Sequence, residues 1–349
     1  MANMRDIASL AKVSVASVSR ILKQDPTFKV NEETRSRVLK IAKQLNYHNQ
    51  HGKSFLERKT KFKIGLIVNQ YPNEITSDPY FIEIKKGILK ECALWGMEAR
   101  TIFNMRDADK KWTDLSKYDA VLVIGNLDKA TIVNASKYNQ NLLLVDYYGT
   151  ISSVDIIQSD FYDQTTNILD LFYKYGHRKI AYIGGYSSII NQNGITHNSK
   201  NEVRYQAYLK WMKLHDLTQY AKAYLSDWGP DYSYQNTKKL LNEFTPTAIL
   251  VASDPMAIGV YKAIKERGLK IPQDISIFSF DDIESAKYFS PSLSSVHIDS
   301  FEMGKLAVDT IKARVSSGRN MSIRIIFNSK LVIRDSIRKI KTESNDSVR

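Results

Sequence analysis

From Ile64 onward the chain alternates short, mostly apolar runs with amphipathic stretches, and this alternation restricts its fold more than any other feature. The runs are Ile64–Val68, Ala99–Phe103, Ala120–Gly125, Leu142–Asp146, Lys179–Gly184, Ala248–Ser253 and Ser276–Phe280. Helical patterns fall between them at about Tyr80–Trp95, Gln164–Tyr175, Glu202–His215, Tyr232–Glu243 and Met256–Arg267. Strands apolar on both faces belong in parallel sheets covered by helices on either side. About 280 residues of this pattern exceed one hydrophobic core and predict an α/β body of two doubly wound, Rossmann-like lobes. Ligands of such lobes bind in the crevice at the carboxyl ends of the strands.

The segment ahead of this body differs in charge. Residues 1–63 hold 14 Lys and Arg against 5 Asp and Glu, so +9 of the chain's net +13 sits there. A basic head on a near-neutral body suggests a nucleic-acid partner, although a solvated basic face has the same composition. Asn3 can cap a helix over Met4–Ala11, with Asp6 in its first turn. Lys12-Val13-Ser14 interrupts the pattern, Ser14 can cap a second helix over Val15–Leu22, and a third runs from Glu32 to about Tyr47. This predicts a small all-α helix-turn-helix head, whose second helix can enter a major groove.

Several classes drop out. The single cysteine, Cys92, excludes a disulfide framework and any CxxC pair. No apolar signal region opens the chain and no run nears the ~20 residues that span a bilayer, so a cytoplasmic protein without a membrane partner is expected. There is no GxG, Walker loop, HExxH or GxSxG, and the six histidines show no metal-ligand spacing. His177, in "YGHRKIAYIGG", reads as a structural residue at a helix-to-strand corner. Neither catalytic residues, nor a metal, nor a cofactor is expected.

The string "MRDIASLAKVSVASVSRIL" followed by "VNEETRSRVLKIAKQLNY" resembles the head of the lactose/galactose repressor (LacI/GalR) family. The resemblance implies that Val15 and Ala16 discriminate bases, that Arg20 reaches a base edge, and that Ser14, Ser17, Thr34 and Tyr47 contact phosphates. It also implies a hinge over 49–63, ordered on DNA, with Leu56 as a wedge in the minor groove. Taken alone, Val15 and Ala16 would be helix filler and Leu56 a lone exposed leucine. Two regions, the turn and the linker, depart from the family. Lys12 stands where a turn glycine is usual, which costs roughly 1–2 kcal/mol if the left-handed geometry persists. His48-Asn49 replaces the usual proline, and Gly52 falls within the hinge.

"KYGHRKIAYIGG", "VASDPMAIGVYKAIKERGLKIPQDISIFSFDD", "SPSLSSVHID" and "KLVIRDS" extend the resemblance over the body, closest to the galactoside-responsive members. The implied fold is the two-lobed periplasmic sugar-binding type over 64–340. Its N-lobe would cover about 64–160 and 293–322, and its C-lobe about 161–292 and 323–340. A pyranose needs charged groups to replace hydration and an aromatic ring for its apolar face. By motif, Arg204, Asp281, Asp146 and Trp228 match the sugar cleft, with Ser253 where the lactose repressor has asparagine and Tyr80 and Phe81 on the N-lobe side. Each has a plain alternative: a solvated arginine, turn-capping aspartates, a core tryptophan. Asp254 is expected to cap the helix after it.

The resemblance thus implies a transcriptional repressor of a sugar-utilisation operon. A homodimer would bind a palindromic stretch of double-stranded DNA and release it when a galactose-type sugar fills the cleft. The same architecture answering a purine or another sugar is the alternative. The polar tail 341–349 lacks the apolar heptads of a tetramer, which favours a dimer.

Overall fold

The computed structural model describes residues 3–22, 28, 30–45, 47, 62–69 and 78–340. The expected wedge Leu56, most of the hinge over 49–63 and the tail 341–349 lie outside the described residues. The chain divides into two compact units, Met1–Phe62 with Cys92–Glu98 and Lys63–Glu91 with Ala99–Arg349.

In the first unit three helices form as their caps direct: α1 (Met4–Ala11), α2 (Val15–Leu22) and α3 (Glu32–Gln44). Asn3 Oδ1 accepts from the Arg5 and Asp6 amides while Asp6 accepts from the Asn3 amide, a reciprocal capping box. Ser14 Oγ accepts from the Ser17 amide at 3.0 Å and Asn31 Oδ1 from the Thr34 amide at 2.8 Å, which caps the other two. Between α1 and α2 Lys12 lies at φ 53° and ψ 48°, so the left-handed turn persists with a side chain in it. The core gathers Ile7, Ala11, Val18, Ile21, Val38, Ala42 and Tyr47.

The second unit contains two six-stranded sheets. The first is built from β1 (Lys63–Val68), β2 (Glu98–Asn104), β3 (Ala120–Ile124), β4 (Leu142–Val145) and β5 (Asp155–Ser159), with helices α4 (Pro79–Leu94) and α5 (Lys129–Tyr138) between them. After α6 (Phe161–Lys174) the chain enters the second sheet. There follow β6 (Ile180–Gly185), a hairpin of β7 (Ser187–Ile190) and β8 (Thr196–Ser199), α7 (Val203–Leu214), β9 (Lys222–Ser226), α8 (Pro230–Glu243), β10 (Ala248–Val251), α9 (Asp254–Glu266), β11 (Ser276–Asp281) and β12 (Ser294–His297). It returns through α10 (Ser300–Ser317) to β13 (Arg324–Phe327) in the first sheet, then to β14 (Lys330–Val332) in the second. The orders are β13-β5-β4-β3-β1-β2 and β14-β12-β11-β10-β6-β9.

Two lobe boundaries shift from expectation. Ser294–His297 pairs in parallel with Phe278–Asp281, so it belongs to the second sheet and not to the N-lobe. Arg324–Phe327 pairs in parallel with Ile156–Ser159, so it belongs to the first sheet and not to the C-lobe. Hydrogen-bonded registers place both return crossings a few residues later, near 298 and 328. The β13 edge is fixed by Asp155, fully buried, whose carboxylate takes Arg314 Nη1 at 2.9 Å, Arg319 Nη2 at 2.7 Å and the Ile323 amide at 2.9 Å.

His177 sits at the corner between α6 and β6, fully buried. Its Nε2 lies 3.0 Å from the Arg338 carbonyl, which requires a donor there, and its Nδ1 lies 3.0 Å from Thr247 Oγ1. Burial, reinforced by the charges of Arg338 and Arg178, lowers its pKa to about 4. Below the ordinary value of 6.5 the unfolded chain takes up a proton that the folded chain refuses. Stability should therefore fall as the pH drops from 6.5 through about 4. Thermal unfolding across that window checks this, and His177→Gln should flatten the slope.

Candidate effector cleft and helix-turn-helix surface

The cleft lies where the carboxyl ends of β1, β3, β4, β6, β10 and β11 face one another, with a volume of about 630 Å³. All seven residues expected there, Tyr80, Phe81, Asp146, Arg204, Trp228, Ser253 and Asp281, line it. The arrangement starts from Arg204 in the first turn of α7, which is only 7% exposed. A buried guanidinium must be compensated. Its Nε donates to Glu202 Oε1 at 2.7 Å and its Nη1 to the Ala252 carbonyl at 2.8 Å. Its plane is flanked by Phe161, Trp228 and Phe280, with Cζ 4.2, 5.0 and 5.4 Å from their ring centroids. Burial works against this charge, yet Glu202 and Tyr182 hold its pKa above the ordinary value. Glu202 is held in turn by the Tyr182 hydroxyl and the Tyr205 amide, each at 2.9 Å.

Two strand-end carboxylates face this cation. Asp146, just past β4, has φ 62°, and Asp281, ending β11, has φ 104°. Both are left-handed conformations that Asp tolerates better than most residues and that occur at strained functional positions. Asp146 Oδ1 accepts from the Tyr80 and Tyr148 hydroxyls, each at 2.9 Å, while neither hydroxyl is aimed at Oδ2. Burial raises the Asp146 pKa, against the two hydroxyls and Arg204. Burial, then the neighbouring Asp254 and Asp78, pushes Asp281 further up, against Arg204. A protonated Asp281 can donate a hydrogen bond as well as accept one.

Asp254 corrects an expectation. Its carboxylate does not cap its own helix; fully buried, it accepts from the Ile283 amide at 2.9 Å and Ser295 Oγ at 2.8 Å, and burial raises its pKa to about 7. The carboxylate links the start of α9 to the loop after β11 and to β12, which holds the Asp281 strand end in place. Ser253 lies at the N-cap position of α9 without a capping hydrogen bond and faces the cleft.

Trp228 combines the two readings made of it. Its indole Nε1 donates to the Tyr186 carbonyl at 2.9 Å, and its ring packs beside Arg204, yet 37% of the residue is exposed at the cleft. The ring needs Gly185, where a Cβ would lie 2.2 Å from Trp228 Cε2. Sequence reasoning missed Tyr148, Glu202, Asn69, Asn126 and the β7–β8 hairpin, all of which reach the cleft. Tyr148 stands two residues after Asp146 and Glu202 two before Arg204, so a search for partners near those charges finds both.

In the head, Ser14, Val15, Ala16 and Arg20 are exposed on α2 and the turn before it, and Ser17 and Thr34 are half-buried. Arg20 lies with its guanidinium 5.5 Å from the Phe28 ring centroid. Tyr47 is 8% exposed and packs into the head's core, so only its rim is available to a phosphate. Among the described residues no group of His, Cys, Asp and Glu is placed to hold a metal, and no helix is long and apolar enough to cross a membrane.

The Gly185 contact yields a test. Gly185→Ala should force the indole out of its place, shifting tryptophan emission to the red in the full-length protein. The same substitution in a Trp228→Phe background should leave the emission unchanged.

The chain matches two family profiles, the bacterial regulatory proteins of the lacI family over residues 3–50 and the periplasmic binding protein-like domain over 169–337. It is 29% identical to the HTH-type transcriptional regulator GalR of Lacticaseibacillus casei, covering 96% of this chain and 99% of that one. It is also 29% identical to the HTH-type transcriptional repressor MelR of Bacillus subtilis, covering 96% and 97%. A structure of the lac repressor dimer bound to operator and an anti-inducer shares the fold, with a TM-score of 0.68 at 23% identity, over 96% of this chain and 98% of that one. The head thus carries the domain of the lacI family of bacterial regulatory proteins and the body a periplasmic binding protein-like domain, and the chain is similar over nearly its whole length to transcriptional regulators.

Proposed function

We propose that this regulator is a cytoplasmic repressor of a sugar-utilisation operon. It grips a palindromic operator as a homodimer and is released when an uncharged, galactose-type sugar occupies the cleft. The observation that carries the sugar half is the cleft floor, where one buried guanidinium, two strand-end carboxylates and an indole converge. That set supplies fixed donors and acceptors for vicinal hydroxyls and a ring for an apolar C–H face. The cleft also bears Asp78, Asp146, Glu202, Asp227 and Asp281 against Arg106 and Arg204. This excess of carboxylates disfavours phosphorylated sugars and other anions.

The DNA half rests on the head. Val15 is 41% exposed, an apolar side chain at the start of a capped helix with no part in the core, beside exposed Ala16 and Arg20. In this reading those three side chains read bases, with Arg20 presenting its fork to guanine. Ser14, Ser17, Thr34 and Tyr47 fix register on phosphates, and Leu56 wedges the minor groove. Two heads on a dimer match the two half-sites of a palindrome. Sugar and operator each lower the affinity for the other by the same factor, as linkage requires.

A gel shift of promoter DNA with the full-length protein, repeated with galactosides, other sugars and purines, tests this reading. Arg20→Ala should cost about 1–3 kcal/mol of operator affinity and leave sugar binding intact. Arg204→Ala should hold operator yet resist release. Because that change also leaves Glu202 buried without its partner, Trp228→Ala is the companion variant. Release by guanine and by no galactoside would assign a purine effector instead.

A further inference from the structure

The β7–β8 hairpin is not needed to complete either sheet, yet it lies at the cleft. Its register pairs Ser188 with Asn198 and Ile190 with Thr196. Side chains alternate between the faces of a strand pair, so these four share one face. All four line the cleft, as does Ser187 at the base of the hairpin, while Ile189 and His197, from the opposite face, do not. The hairpin is anchored at both ends of its reach. It leaves the second sheet after β6, and its Ile190 amide donates to the Asn126 carbonyl at 3.2 Å on the first lobe. The Asp128 amide donates back to the Ile190 carbonyl at 3.1 Å, and Arg106 Nη1 donates to Thr196 Oγ1. Gly194 at its turn fits closely, since a Cβ there would lie 2.8 Å from the Met105 carbonyl oxygen.

The chemistry of this face differs from that of the cleft floor. Ser188 Oγ lies 2.9 Å from Asn198 Oδ1, and Asn198 Nδ2 donates to Asp227 Oδ1 at 3.3 Å. On the first lobe, Asn69 Nδ2 donates to the Asn126 carbonyl at 3.2 Å. Ile190 itself is buried in the core of the first lobe and serves as the anchor, so the hairpin offers the cleft the hydroxyls of Ser188 and Thr196 and the amide of Asn198, a set suited to the polar edge of a second ring. Size points the same way. Even at the ~30 Å³ that liquid water takes per non-hydrogen atom, the roughly twelve such atoms of one hexopyranose need at most about 360 Å³. The cleft of about 630 Å³ therefore has room beside one ring.

We propose that the hairpin face of Ser188, Thr196 and Asn198 is a second glycosyl subsite, and that the effector is an uncharged disaccharide or longer saccharide. The proposal rests on the sugar reading above and adds the number of rings. One ring occupies the floor at Arg204, Asp146, Asp281 and Trp228, and the next lies along the hairpin. Because main-chain hydrogen bonds hold the hairpin to the other lobe, this subsite is preorganised and its contacts add to affinity with little ordering cost.

Isothermal titration calorimetry of the full-length protein tests it, with methyl galactoside, methyl glucoside and a set of α- and β-linked disaccharides ending in each hexose. At least one disaccharide should bind about tenfold or more tighter than the methyl glycoside of its terminal hexose, a margin of about 1.4 kcal/mol. The paired substitution Ser188→Ala with Asn198→Ala should erase that margin and leave methyl glycoside binding unchanged. A methyl glycoside binding as tightly as every disaccharide would overturn the second subsite and leave the sugar reading standing. The same holds if the variant weakens both classes equally. Failure of every saccharide to bind the wild-type protein would overturn both readings.

Discussion

A guanidinium buried at the meeting point of two lobes is the constraint around which this cleft is organised. Arg204 is out of water, so its charge has to be met from within the protein. Glu202 meets it directly, and Tyr182 and the Tyr205 amide then orient Glu202. Phe161, Trp228 and Phe280 flank its plane, which excludes water and fixes the direction of the fork. The indole in turn depends on a glycine at the end of β6. Removing one partner of such a buried pair typically costs about 3–5 kcal/mol. The contacts that shape the cleft floor and those that stabilise the C-lobe locally are thus the same set.

The carboxylates facing Arg204 are held by a different device. Asp146 and Asp281 each end a run of buried strand in a left-handed conformation, which ends the regular strand and turns the chain at the crevice. Tyrosine hydroxyls hold Asp146, and a buried Asp254 with its two donors secures the Asp281 end from behind. Fixed dipoles and charges arranged before a ligand arrives are more effective than mobile ones, because no reorganisation is needed on binding.

Most of this was readable in the sequence where burial and polarity agree. β1, β3, β4, β6, β10 and β11 are apolar on both faces, so their residues announce a covered parallel sheet. β12 does not, because its sequence is Ser-Ser-Val-His; its serines are buried with their hydroxyls bonded to the Arg334 carbonyl and Asp254. β13 and β14 are short edge strands with charged ends, which read as loop. These three set the lobe boundaries, which explains the displacement of the expected crossings. The seven cleft residues were found because each falls at a strand end or on a recognisable motif. The hairpin escaped because Ser, Asn, Thr and Gly dominate its sequence, and pairing between two strands appears only once the register is known.

The three chain crossings near 160, 298 and 328 lie beside the β13 and β14 edges, and the β7–β8 hairpin bonds to the opposite lobe elsewhere, at the loop after β3. Covalent tethers grouped on one flank leave two rigid plates a single easy swing, like the covers of a book, whereas twisting or sliding strains all three at once. A swing that widens the gap pulls on the hairpin, which two main-chain bonds at Ile190 hold to the first lobe. The resting angle between the plates is therefore set in part by a clasp of amides, which a change of angle has to strain.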